Sequence, residues 1–218
     1  MKRIALFWAA CCGLLFPLSA QESRDYEIGA RTSYGLSLKK AKANNYSFDL
    51  FGGYKINDHL SAGIGVNYVT YQGRLDLPSG IEDVFIWTEN YQTFRPFVYA
   101  LCDFIPSRKW TPYAGVRLGY AFFRKSSLHY TVFAGSGSAY DPIDMSEYEY
   151  LKDLDHTLGV KGNFYGAIDV GISRHIGTGG SKFSFGAYLD VQPAIFVYYK
   201  HTERRTNITA GPRIGFTF

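Results

Sequence analysis

The sequence predicts an all-β fold, an eight-stranded antiparallel up-and-down transmembrane β-barrel with a filled polar lumen. Apolar and polar residues alternate with a period of two in eight segments after residue 24, as in strands whose two faces meet different surroundings. Aromatic residues make up 17% of the chain, which is typical of strands that anchor at both bilayer interfaces. Short and long connections alternate, which indicates tight periplasmic turns and extended external loops.

Residues 1–20 are expected to be a secretory signal peptide, and residues 21–218 the barrel domain. Two basic residues precede an apolar stretch over 4–15 that is too short to span a bilayer, and Leu18-Ser19-Ala20 offers small residues for cleavage. The sequence therefore predicts export.

Charge and cysteine content exclude several classes of function. Loss of Lys2 and Arg3 with the signal lowers the formal charge from +4 to +2, which is too small to indicate a nucleic-acid partner. Cys102 is then the one cysteine left, so neither an internal disulfide nor a zinc site of several cysteines is expected.

The first three strands are predicted over 26–38, 46–56 and 60–68. Each has one face of Tyr, Phe, Ile, Leu and Val and one face of Gly, Ser, Asn and charged residues. The polar turn 57–59 joins the second strand to the third, so these two strands form a hairpin.

The fourth strand is predicted over 92–104 and the fifth over 112–124. The alternation of the fourth strand is poor, because Phe97, Tyr99 and Leu101 are apolar like the residues on its other face. Its register is therefore left open by the sequence.

The last three strands are predicted over 161–174, over 182–191 and over 208–218. Among the connections, 71–91 and 124–160 are long, and we expect them to be external loops. The aromatic residues of 81–99, including Phe85, Trp87 and Tyr91, are expected to form an interface belt or a strand extension rather than a ligand platform.

Isolated charges of both signs on the polar faces favour a closed barrel over a soluble sandwich. An eight-stranded barrel has room inside only for side chains, and a buried charge needs an opposite partner. Closure is required in lipid, because an open edge would leave backbone groups without hydrogen bonds. The charges expected to pair in the lumen are Glu27, Arg31, Asp49, Lys55, Arg117, Asp169, Asp190 and Arg213.

The chain resembles the small outer-membrane β-barrel proteins of Gram-negative bacteria, of the OmpA/OmpX-like kind. The resemblance is carried by GYKINDHLSAGIGVNY (53–68), TPYAGVRLGYAF (111–122) and the final GFTF. It implies a monomer in the outer membrane, with membrane lipid and lipopolysaccharide as partners and no cofactor or metal. It also implies that Phe216 and Phe218 act as the signal for the barrel-assembly machinery during insertion.

The expected function is non-enzymatic: a structural or surface-interaction role such as membrane integrity, adhesion or loop-mediated binding. A small porin or channel is one alternative, and a lipid A-modifying enzyme is another. Enzymes of that kind carry a His-x-Ser pair near the outer leaflet. The His-x-Ser pair of this chain, His59 and Ser61, is expected at the periplasmic rim.

The external loops suggest further partners. His129, His156 and His201 are expected on the outer side, without a serine two residues later. The basic residues around Arg204 and Arg205 could meet lipopolysaccharide phosphates. An acidic loop could hold a divalent cation or simply be solvated; its residues are Asp141, Asp144, Glu147, Glu149, Asp153 and Asp155.

Overall fold

The computed structural model describes residues 26–38, 44–77, 84–106, 108–124, 126–132, 157–177, 181–198 and 201–218. The expected signal peptide, the acidic loop residues and His156 lie outside these ranges. Among the described residues, no helix has the length and apolarity that crossing a bilayer requires.

The described part of the chain forms twelve β-strands. In chain order they are β1 (Tyr26–Ser37), β2 (Asn44–Lys55), β3 (Leu60–Gln72), β4 (Arg74–Leu77), β5 (Val84–Glu89), β6 (Gln92–Asp103), β7 (Trp110–Phe123), β8 (Ser126–Val132), β9 (Thr157–Lys161), β10 (Asn163–Ile176), β11 (Ser181–Tyr198) and β12 (His201–Thr217).

Eight of these strands, β1, β2, β3, β6, β7, β10, β11 and β12, close into one antiparallel up-and-down barrel. Each pairs with its neighbour in the chain, and β12 returns to pair with β1 from Gly29 opposite Thr217 to Ser37 opposite Thr209. The predicted fold is confirmed.

The barrel wall is apolar outside and mostly polar inside. Burial alternates residue by residue along β1, β2 and β7, as expected for strands with two unlike faces. On the outer face, Phe164, Ile64 and Leu118 are 74%, 69% and 64% exposed. Exposed apolar residues of this extent around a closed cylinder need lipid as their surroundings.

Aromatic residues mark both ends of this apolar wall. Tyr68, Phe94 and Phe122 are register partners across three strands towards one end. Tyr26 and Tyr54 form an edge-to-face pair with ring centroids 5.3 Å apart at the other end. The second end holds the short turns, the beginning of β1 and the end of β12, so it faces the periplasm.

The long connections contain short strands in addition to the eight predicted ones, and one of them, β5, includes Phe85 and Trp87. Gly73 and Asn90 have positive φ angles of 117° and 55°. Gly73 lets the chain bend between β3 and β4, and Asn90 lets it bend between β5 and β6. β5 then pairs with β8, and β9 pairs with β11. The wall therefore continues above the barrel as an external extension, consisting of β4, β5, β8, β9 and the upper parts of β11 and β12.

The register of the fourth barrel strand, β6, is defined by its pairing with β3. Leu60 lies opposite Cys102 and Thr70 lies opposite Gln92. In this register, the side chains of the odd-numbered residues of β6 point into the lumen.

Candidate functional site

A charge network fills the middle of the lumen. Arg117 donates from Nε to Asp169 Oδ2 at 2.9 Å and from Nη1 to Asp49 Oδ2 at 3.1 Å. Arg213 donates from Nη1 to Asp169 Oδ1 at 2.6 Å. These side chains come from β2, β7, β10 and β12 and are at most 2% exposed. The network therefore ties strands on different sides of the barrel together.

A second layer lies nearer the external end. Arg95 Nη1 forms an ion pair with Asp190 Oδ2 at 2.8 Å, and its Nη2 donates to the Tyr71 hydroxyl at 3.2 Å. That hydroxyl donates in turn to Gln192 Oε1 at 2.7 Å. Arg95 was missing from the predicted lumen charges, although the parity of β6 would have placed it there.

An apolar layer lies above Arg95. Tyr71 and Tyr91 stack with ring centroids 4.3 Å apart, and Phe196 contacts Tyr91 edge to face at 6.1 Å. Val69 and Ala121 are fully buried. The lumen is polar as predicted, and these rings form a small apolar layer within its external half.

Large rings also fill the lumen towards the periplasm, where they lie against glycines. A side-chain carbon at Gly53 or Gly63 would collide with the Tyr99 ring or hydroxyl. The Tyr99 hydroxyl donates to Glu27 Oε1 at 2.8 Å. The glycines of the polar face thus provide space for aromatic rings as well as for charges.

A cleft of about 290 Å³ opens at the periplasmic mouth. Lys182 forms an ion pair with Asp103, and a ring nitrogen of His59 lies 2.9 Å from the Asp103 carbonyl oxygen. Lys55 and His175 complete one side of the cleft. Its charges are therefore partly neutralised among themselves.

The structure joins half of the predicted lumen charges in one network and pairs a fifth charge with a residue that was not predicted. Asp49, Arg117, Asp169 and Arg213 form one network, and Asp190 pairs with Arg95.

Glu27, Arg31 and Lys55 differ from the expected pairing. Glu27 accepts from a tyrosine instead, and Arg31 lies over the Phe51 ring at 4.2 Å. Neither Arg31 nor Lys55 has an ion pair with a described residue. Lys55 lies at the periplasmic mouth, where it lines the cleft.

His59 and His129 lie at opposite ends of the barrel. His59 and Ser61 lie at the periplasmic cleft. His129 belongs to the external extension, where its ring stacks on Trp87 at 5.7 Å. Of the basic external residues, Arg204 is exposed and Arg205 pairs with Glu203 at 2.6 Å.

No protein-family model matches the chain, and no curated protein matches it. Solved structures of outer-membrane proteins do match. Outer membrane protein OprG from Pseudomonas aeruginosa is 11% identical, with 92% of this chain and 98% of that chain covered and a TM-score of 0.54. Neisserial surface protein A is 16% identical, with 88% and 96% covered and a TM-score of 0.49. The outer membrane enzyme PagL is 10% identical, with 88% and 98% covered and a TM-score of 0.36.

At these identities the likeness concerns the fold and not the activity. Taken with the closed wall and its apolar outer face, it gives one conclusion: the chain has the fold of the eight-stranded outer-membrane β-barrels and is located in the outer membrane.

Proposed function

We propose that the protein is a non-enzymatic, non-conducting outer-membrane barrel with a structural or surface-interaction role. The observation that carries this proposal is the filled lumen. Ion pairs occupy its middle, and stacked aromatic rings close its external half. The barrel then serves as a membrane anchor for the external extension.

The filled lumen disfavours the alternative of a small channel. An eight-stranded barrel leaves no free bore once its side chains are packed. Here the layers of Arg117, Arg95 and Tyr91 follow one another along the barrel axis, and all three side chains are buried. A hydrated ion would have to displace the ion pairs and the apolar layer one after the other.

Planar-bilayer recording tests this directly. The refolded chain is expected to give no steady unitary conductance above that of the bare bilayer. Heat-modifiable gel migration of the same sample provides the control that the barrel has folded. Reproducible conductance steps from a folded sample would contradict the proposal and favour the channel.

The histidine positions support a non-enzymatic role. The His59 and Ser61 pair lies at the opposite end of the barrel from the outer leaflet, and a ring nitrogen of His59 is held against a backbone carbonyl. The His129 ring stacks on the Trp87 ring. These contacts favour structural roles for both histidines.

Surface binding would use the external extension. Arg204 is exposed on its outer face, and a guanidinium suits the geometry of phosphate oxygens. We therefore keep lipopolysaccharide phosphate as the proposed contact of this face, with Lys200, His201 and Arg205 as neighbours in the sequence.

Phe216 and Phe218 are proposed as the assembly signal. Phe218 exchanges backbone hydrogen bonds with Ile28, at 2.8 and 3.2 Å, and its ring lies 4.6 Å from that of Phe216. Both rings thus lie at the seam where β12 meets β1, which is the last pairing needed to close the barrel.

The substitution Phe218→Ala is expected to reduce assembled barrel in cells several-fold while leaving refolding in lipid vesicles nearly unchanged. The reason is that recognition uses the ring, whereas closure uses the backbone of residue 218. Heat-modifiable migration in the two settings measures both effects. An equal loss in cells and in vesicles would show that the ring acts through stability instead.

A further inference from the structure

We propose that the periplasmic rim carries a binding site for the headgroups of anionic phospholipids, built from Arg108, Lys109 and Arg174 around Trp110. The proposal rests on insertion of the barrel in lipid, as described above. It concerns the inner leaflet, at the end of the barrel opposite to Arg204.

Two neighbouring strands bring the basic residues together. The turn between β6 and β7 carries Arg108 and Lys109, and Trp110 begins β7. Arg174 of β10 is the register partner of Trp110, and the His175 amide donates to the Lys109 carbonyl at 3.1 Å. Three cationic residues therefore lie at one edge of the wall.

Trp110 fixes the depth of this cluster. Its ring is 49% exposed on the outer face, and tryptophan prefers the boundary between hydrocarbon and headgroups. The Arg174 guanidinium carbon lies 5.3 Å from the ring centroid, a cation–π contact that holds the charge at the same height. Towards the membrane centre the wall continues with the exposed side chain of Ile172, which suits acyl chains.

The charge of the cluster is not neutralised within the described ranges. Arg108, Lys109 and Arg174 are exposed, and none of them forms an ion pair with a described residue. The nearby Asp103 carboxylate faces the lumen, where Lys182 pairs with it. A basic cluster at headgroup depth attracts anionic lipid, by about fivefold in affinity for each basic residue near the surface.

Quenching of Trp110 by brominated lipid tests the site. The chain has three tryptophans, so the substitutions Trp8→Phe and Trp87→Phe leave Trp110 as the single reporter. This variant is refolded into mixed vesicles in which either phosphatidylglycerol or phosphatidylcholine carries bromine on its acyl chains. We expect brominated phosphatidylglycerol to quench more strongly at equal mole fraction, with a relative binding constant of at least about 5.

Two further variants test whether the basic residues cause the lipid preference. Adding Arg108→Gln, Lys109→Gln and Arg174→Gln together is expected to bring the relative constant close to unity. Adding Arg124→Gln instead, at an exposed position just after the external end of β7, is expected to leave the preference unchanged. Higher salt should weaken the preference, because it screens exposed charges.

The outcomes separate the site from the insertion on which it depends. Equal quenching by the two lipids, or a preference that survives the triple substitution, would overturn the headgroup site while leaving the barrel in its membrane. Absence of quenching by either lipid would overturn insertion itself, and the proposed site with it.

Discussion

The substitution Arg117→Ala is expected to lower the free energy of unfolding by about 3–5 kcal/mol, the cost of removing one partner from a buried ion pair. Arg117 bridges Asp49 and Asp169, and all three side chains are about 1% exposed. Its loss leaves two carboxylates with Arg213 as their remaining described cation. Urea titration of the barrel in lipid vesicles, followed by heat-modifiable migration, measures the change.

The matched control is Arg204→Ala, which removes a guanidinium from an exposed position of β12. Its effect is expected to stay within about 0.5 kcal/mol, as for most surface substitutions. If Arg117→Ala resists urea as well as the control does, the lumen network does not stabilise the barrel.

The second large effect is expected from Gly63→Ala. A Cβ atom at Gly63 would collide with the backbone carbonyl of Gly52 and with the Tyr99 ring. Backbone cannot move aside as a flexible side chain can, so the added methyl group must part β2 from β3 or displace the ring. We expect a loss of about 1–3 kcal/mol, the usual cost of overpacking, and a lower refolding yield in vesicles.

Gly52→Ala is the control for this prediction, since Gly52 lies in the facing strand of the same hairpin. Its added Cβ would have the Glu27 carbonyl oxygen as nearest atom, at 3.7 Å, which is an ordinary contact. We expect near-normal refolding. Equal losses from the two substitutions would point to general strand propensity rather than to the collision in the lumen.

The barrel strands were predictable from alternation, because lipid outside and charge inside impose opposite demands on successive residues. The same reasoning placed Asp49, Arg117, Asp169 and Arg213 in the lumen, and these four residues form the central network. Alternation establishes which face a residue occupies.

What alternation could not supply is the identity of the partners across the barrel. Arg95 was missed because Phe97 and Tyr99 made both faces of its strand apolar, and a ring packed over a lumen glycine has the same hydropathy as a ring in lipid. Arg31 lies over the Phe51 ring rather than beside a carboxylate. This position depends on the shape of the lumen, which alternation along a strand does not reveal.

The short strands β4 and β9 were missed for a different reason. β4 has only four residues and β9 five, which is too few for periodicity to be seen. They exist because neighbouring strands supply hydrogen-bond partners, and this is a property of the assembled wall rather than of the segments themselves.

The length of β11 has a mechanical consequence. At ~3.3 Å per residue, its 18 residues span ~60 Å, or ~45 Å along the membrane normal at a tilt of ~40°. The apolar band of such a barrel is only ~25 Å tall, so a stiff collar of ~20 Å projects beyond the lipid surface. A partner that binds to this collar contacts strands that are already ordered. Binding therefore avoids most of the entropic penalty of ordering a flexible tether.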